Sequence, residues 1–244
     1  MAQYHLSASL IRRSAGRSAT AAAAYRAADA IHDDREGVTH DYRHKDGVVA
    51  AHLIMPEGVS WSPSREALWS GVEVYNTRRN AQVAREFTIA LPTELDDTER
   101  EALAVQFAQE LADQYRIVAD VAIHRPSKDG DQRNHHAHVL TTTSVIQADG
   151  SFGKKVRALD GIATKLADKT APTSIDALRV RWQQLANDAL AAAGIDARID
   201  HRSYAERAEA GDALAAQMVP QTHAGPTATG MDRRGAQSDR ADDR

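Results

Sequence analysis

Residues 120–143 read DVAIHRPSKDGDQRNHHAHVLTTT. Two apolar, β-branched runs flank a polar loop holding Pro126, Asp129, Gly130 and Asn134, residue types that supply turn conformations. The pattern predicts a β-hairpin folding back near Gly130. His136 and His138 are two apart, so they point to one face of the second strand, while His135 points to the other. A ladder symmetric about Gly130 sets His124 directly opposite His136 and diagonal to His138. Neighbouring strands lie roughly 4.8 Å apart, so three imidazoles converge on one side of the sheet. A lone strand histidine is usually a solvated or hydrogen-bonded residue. Three in register, in a chain without cysteine, suit a divalent ion that keeps open positions for substrate.

Outward from the hairpin, residues 83–91 (VAREFTIAL) alternate as a strand that stops at Pro92. Glu86 then falls inside the sheet, where an unpaired carboxylate is costly. A salt bridge is its ordinary partner; a hydrogen bond from a metal-bound histidine is its functional one. Residues 4–11 form another alternating strand, followed by the short basic stretch RRSAGRS. Exposed arginines are commonly just solvated, but Arg12, Arg13 and Arg17 among hydroxyls and a glycine also make a phosphate-gripping loop. Ser18 or Thr20 can cap the alanine-rich helix over 21–28. That helix carries one polar aromatic, Tyr25. Packing its ring in the core is the ordinary role for such a residue, and acting as a nucleophile is the alternative.

The remaining stretches set the frame. Residues 32–47 are charged and turn-rich, with irregularly spaced histidines read as surface residues and assigned no metal. A strand runs over 48–55. Ser62 is expected as a helix cap with Pro63 at the first helical position, ahead of a core face of Leu68, Trp69, Val72 and Tyr75. A helix over 95–113 begins with Asp96 and Asp97, which suit its dipole. Lys154 and Lys155 sit in a basic turn, and a helix over 174–193 stops at Gly194. From residue 205 large apolar residues thin out, which predicts a short helical piece and then a disordered end.

With 244 residues and 42% hydrophobic content, the chain has enough apolar side chain for one full core. The N-terminus lacks the apolar segment of a signal peptide, and no stretch approaches the roughly 20 apolar residues of a membrane span. A formal net charge of −4 argues against bulk nucleic-acid binding, so a DNA site has to be a local basic patch.

Taken in order, AQYHLSASLIRRSAGRSATAAAAYRAADAI, REFTIALP, AIH with NHHAH, ARIDHRSY and HAGPTATGMDRRG make the chain resemble the N-terminal relaxase domain of the MobA/MobL (MOBQ, TraA-like) plasmid mobilisation proteins. The resemblance implies an α+β fold, a central antiparallel sheet flanked by helices, of the HUH single-strand endonuclease type. It implies a relaxase domain over 1–204 and a polar tail or linker over 205–244. It assigns the nucleophile to Tyr25, the metal ligands to His124, His136 and His138, and a nearby acid to Glu86. Arg12, Arg13, Arg17, Arg26, Lys154 and Lys155 become candidates to hold the DNA backbone. The implied cofactor is a divalent ion, Mg²⁺ or Mn²⁺. The implied partners are single-stranded DNA at an origin of transfer, relaxosome accessory proteins and a coupling protein, in the bacterial cytoplasm. Two readings of other classes stay open here: a three-histidine metal hydrolase in which water attacks, and a non-catalytic DNA-binding module.

Overall fold

The computed structural model describes residues 3–159 and 174–218. Residues 1–201 form one compact unit. Its described elements are β1 (Leu6–Arg12), α1 (Ala19–Ala27), β2 (Ala30–Asp33), β3 (Val38–Asp41), β4 (Val48–Ile54), α2 (Arg65–Tyr75), β5 (Gln82–Ala90), α3 (Asp97–Tyr115), β6 (Ala119–His124), β7 (His136–Thr142), β8 (Ser144–Ile146), β9 (Phe152–Lys155) and α4 (Ser174–Ala192). Residues 202–244 cluster as a second unit, in which α5 (Tyr204–Glu209) is described. The disordered end expected after that piece falls largely on residues 219–244, outside the described residues.

Five strands form the main sheet in the order β1-β5-β7-β6-β4, with every neighbouring pair antiparallel. Two-stranded β2-β3 and β8-β9 ribbons stand apart from it. The architecture is α+β. Strand side chains alternate between faces, and the sequence uses that alternation to build two different sides. Phe87, Ile89, Val121, Ile123, Ala137 and Val139 face a core shared with Leu103, Phe107 and Leu111 of α3 and Trp182 of α4. The Phe107 and Trp182 rings meet edge to face at 5.3 Å. The alternate positions, Ala84 and Leu140 among them, join a second core with Ala22, Ala23 and Ala24 of α1 and Trp69 and Val72 of α2. Glu86, Asp120, His124, His136 and His138 occupy the same alternation. These five polar side chains therefore look toward α1 and α2.

α1 owes its place to its ends and its small side chains. The Ser18 hydroxyl accepts from the Ala21 amide at 3.1 Å, and the Glu73 carboxylate on α2 accepts from the Ala19 amide at 2.6 Å. These satisfy donors that the first turn leaves open. Ala19, Ala23 and Ala24 are fully buried, so the helix axis comes close to the sheet. Ala28 ends the helix in the left-handed region at φ 51°, which costs an alanine roughly 1–2 kcal/mol.

The structure departs from the sequence reading in four places. Tyr75, expected on the core face of α2, lies at the helix end and is 46% exposed, its hydroxyl donating to the Gly153 carbonyl at 3.0 Å. Ser64, not Ser62, caps α2, accepting from the Ala67 amide at 3.0 Å. Pro63 lies outside the helix because the extended Ser-Pro-Ser segment continues to Ser64, whose ψ is 160°. Residues 32–47 are not plain surface turns, since they contain part of the β2-β3 hairpin. Lys154 and Lys155 lie on strand β9 rather than in a turn.

Asp120 is a buried acid that sequence reading passed over. Its carboxylate accepts from the Trp69 indole at 2.8 Å and from Arg65 at 2.9 Å, pinning α2 to β6. Truncating one member of such a buried network leaves the others uncompensated, at about 3–5 kcal/mol. Asp120→Ala is therefore expected to lower the urea midpoint of unfolding by that equivalent, with the slope unchanged.

Candidate active site

The hairpin register is the expected one. His124 pairs with His136, and Ala122 with His138. The three imidazole rings stand 5.1–5.3 Å apart, centroid to centroid, in all pairings.

Each ring has one nitrogen engaged with an oxygen. His136 Nδ1 lies 2.9 Å from the Asn134 carbonyl, His138 Nδ1 2.8 Å from Glu86 Oε1, and His124 Nε2 2.9 Å from the Arg26 carbonyl. A carbonyl or carboxylate oxygen only accepts, so each of these nitrogens carries the proton. In a neutral ring the opposite nitrogen, Nε2 of His136 and His138 and Nδ1 of His124, carries the lone pair. Such a fixed tautomer is what a metal-ligating histidine needs. Burial, with like-charge pressure from His138, Lys45 and His136, pushes His124 down to about 3. Burial likewise lowers His136, against the pull of the Asn134 carbonyl and with His138 and Lys45 adding to it. Both rings are neutral at neutral pH, the form that binds a cation. The donor set is three imidazoles without thiolate, and it fits a divalent transition metal better than a purely oxygen-seeking ion.

Glu86 is 5% exposed and fully partnered. It accepts from His138, from Arg26 of α1 and from the Ser9 hydroxyl at 3.3 Å. Burial alone would raise its pKa. The hydrogen bonds from His138 and Arg26, with their charges, outweigh burial and bring it to about 2.

Tyr25 is about half exposed, at 47%, so its ring is not a core residue. It lies on α1 next to Arg26, whose carbonyl His124 holds. Its ring meets Tyr42 edge to face at 5.3 Å. It also lines an open cavity of about 450 Å³ with Arg17, Arg26 and Tyr42.

The basic candidates divide. Arg17 is exposed on the cavity rim, and Lys154 is exposed on β9. Lys155 donates to Gln82 at 3.0 Å. Arg26 is committed to Glu86 and to the Ala22 carbonyl. Arg13 faces inward, where it pairs with Glu73 at 2.5 Å and donates to the carbonyls of Asn76 and Arg78. It clamps the loop ahead of α1 to the end of α2, instead of offering a free fork to a phosphate. Arg12, half-buried, closes β1 opposite Gln82.

Sequence reading missed two features in residues 32–47. Lys45 stands over the Tyr25 ring, 3.8 Å from its centroid. Asp33, Glu36 and His40 bring one donor atom each within 4.8 Å of one another. Both oxygens of Asp33 are already engaged, one by the Thr20 hydroxyl at 2.6 Å and the other by the Arg35 and Glu36 amides, which makes it the organiser of the hairpin turn. The β2-β3 hairpin carries neither the apolar alternation nor the Asn-Gly type of turn that reveals a strand pair.

Residues 17–234 match the model of the MobA/MobL family. Mobilization protein MobL of Acidithiobacillus ferridurans is 44% identical, over 98% of this chain and 66% of that protein. A conjugal transfer protein TraA of Rhizobium radiobacter is 33% identical, over 97% of this chain and 22% of that protein. The chain thus spans under two thirds of the first relative and under a quarter of the second. A solved structure described as the molecular basis of vancomycin resistance transfer in Staphylococcus aureus superposes with a TM-score of 0.71 at 29% identity, covering 83% of this chain and all of that one. A conjugative relaxase TrwC in complex with oriT DNA, metal-bound, shares the fold at a TM-score of 0.53 and 14% identity, over 96% of this chain and 92% of that one.

The ionisation states have a measurable consequence. His124 is harder to protonate in the folded than in the unfolded chain. Its contribution to stability is therefore complete above about 6.5 and drains away as pH falls toward 3. Glu86 adds a second loss, beginning near 4.5 and continuing toward 2. The metal-free protein is expected to lose melting temperature steadily below pH 6.5, and His124→Gln is expected to flatten the curve between pH 6.5 and 4.5.

Proposed function

The chain belongs to the MobA/MobL family, and from that premise we propose that it is a relaxase. It nicks one strand of origin-of-transfer DNA by transesterification, and Tyr25 is the nucleophile. The observation that carries this reading is the docking of α1 on the histidines. His124 holds the carbonyl of Arg26, the residue next to Tyr25, and Arg26 and His138 share the Glu86 carboxylate. The nucleophile's helix and the ligand strands are thereby locked together.

The Tyr25 phenolic oxygen attacks the scissile phosphorus. A phosphotyrosine ester forms to the 5′ side of the cut, and the bond from phosphorus to the 3′ oxygen breaks. The 3′ oxygen leaves as a hydroxyl after taking up a proton, and the phenol gives one up. One ester replaces another, so the step is reversible and the ends can be rejoined. A divalent ion, Mg²⁺ or Mn²⁺, would be held by His124, His136 and His138 and would supply Lewis acidity for the displacement. Glu86 keeps the His138 proton on Nδ1, so that Nε2 stays a lone-pair donor. Arg17 on the cavity rim and Lys154 on β9 are the exposed cations suited to the DNA backbone. Arg12, Arg26 and Lys155 are secondary candidates for the same backbone.

Single-stranded origin DNA is the substrate. Relaxosome accessory proteins and a coupling protein are partners in the bacterial cytoplasm, and a polar tail or linker follows the relaxase domain after residue 204. No helix among the described residues is long and apolar enough to cross a membrane. With net charge −4, binding leans on a local patch and is expected to weaken steeply with salt.

The test uses oligonucleotides spanning the transfer origin, Mn²⁺ and a denaturing gel. Wild type is expected to give a protein–DNA adduct, and Tyr25→Phe none. Cleavage that persists in Tyr25→Phe without an adduct would install water as the nucleophile and overturn the reading. Glu86→Gln is expected to retain the fold and to weaken Mn²⁺ binding by about 10–100-fold, read by calorimetry.

A further inference from the structure

Lys45 lies on the segment that leads from the β2-β3 hairpin into β4, a segment that sequence reading assigned no role. Its ammonium is 3.8 Å from the centre of the Tyr25 ring and donates to the Tyr25 carbonyl at 3.1 Å. That carbonyl is in the last turn of α1, where the helix leaves acceptors unsatisfied and its dipole is negative. The next carbonyl, of Arg26, is the one His124 takes. Lys45 and His124 therefore hold adjacent carbonyls at the same helix end.

The lysine is itself held. Its backbone amide donates to the Tyr42 carbonyl at 2.9 Å, and the Tyr42 amide donates to Asp29 at 2.9 Å. Val48, at the start of β4, pairs with His124. The segment is thus tied at one end to the tyrosine pair and at the other to the histidine strand. The charge of Lys45 is felt by both His124 and His136, so it stands near the histidine cluster as well as against the Tyr25 ring. A cation on the face of an aromatic ring is attracted to it, and together with the carbonyl bond it restricts both the ring and the backbone that carries it. No other ammonium or guanidinium is recorded over the Tyr25 ring among the described residues.

We propose that Lys45 is a positioning residue for strand cleavage, clamping the Tyr25 ring and the last turn of α1 so that the phenol is presented to the histidine centre with a positive charge beside it. The inference rests on the reading of Tyr25 as nucleophile. A well-oriented nucleophile accounts for a large share of rate enhancement, and a fixed cation against the ring that carries the reacting oxygen favours the negative charge that develops there. Lys45→Met keeps the length of the side chain and removes the charge; Lys45→Arg keeps the charge.

The experiment combines three readings on the whole chain. Single-turnover adduct formation is measured with an origin oligonucleotide and Mn²⁺. Affinity for the same oligonucleotide is measured by fluorescence anisotropy. Ring resonances of labelled tyrosines are recorded in the metal-free protein, with Tyr25→Phe supplying the assignment. Lys45→Met is expected to slow adduct formation at least tenfold, to change DNA affinity less than threefold, and to shift the ring resonances of Tyr25 and Tyr42 selectively. Lys45→Arg is expected to recover a substantial part of the rate. The proposal is overturned if Lys45→Met forms adduct at the wild-type rate, if the loss is entirely in affinity, or if Lys45→Arg is as slow as Lys45→Met. It is also overturned if the tyrosine resonances do not move. A wild type that forms no adduct at all defeats the relaxase reading instead, and the resonances then still report on whether the clamp exists.

Discussion

A buried carboxylate has to be satisfied, and at Glu86 that requirement organises the site. On β5 it is paired with Leu140 of β7, while its side chain takes hydrogen bonds from Ser9 on β1, His138 on β7 and Arg26 on α1. An isolated ionised carboxylate in such a place would cost several kcal/mol. Three elements have to meet around it for that cost to be offset. The same meeting sets the tautomer of His138 and fixes the turn of α1 that carries Tyr25. Local folding and chemistry are thus joined by one group.

The second organising choice is to gather the site's polar groups on one side of the sheet. Phe87, Ile89, Val139 and their neighbours give the α3 and α4 side an apolar core. The other positions of the same strands carry Glu86, Asp120 and the histidines, and they are covered by a helix of alanines and by α2. Small side chains on α1 let the backbone carbonyls of Tyr25 and Arg26 come within reach of Lys45 and His124. A bulkier helix would hold those carbonyls too far from the strands. The acidic balance of the whole chain, −4, is compatible with this arrangement because the cations that matter are few and placed.

Much of this was legible in the sequence because period-two alternation and turn chemistry are local signals. The hairpin centred on Gly130 follows from residue types within 24 positions, and it places His124 opposite His136 as the structure does. Glu86 could be read as a buried acid in want of a partner, although its sharing between Arg26 and His138 is a tertiary fact. What was illegible has the opposite character. Arg13 looks like an exposed loop cation, and only the folded chain brings Glu73 and the end of α2 against it. Lys45 is one charge among many in residues 32–47, and its place over Tyr25 depends on how the β2-β3 hairpin returns beneath α1. Asp120 reads as an ordinary strand polar residue until Trp69 and Arg65 are seen to converge on it. Ser62 with Pro63 behind it reads as the cap of α2, and only the extended backbone through Ser64 moves that cap to Ser64.

The central claim is that Tyr25, and no other group, receives the DNA. The most direct measurement is mass spectrometry of the covalent adduct after nuclease trimming and proteolysis. The account places a 5′-linked nucleotide on the peptide containing Tyr25. Recovery of the nucleotide on Tyr42, whose ring touches that of Tyr25, would contradict it. So would cleaved DNA with a free 5′ phosphate and an unmodified Tyr25 peptide.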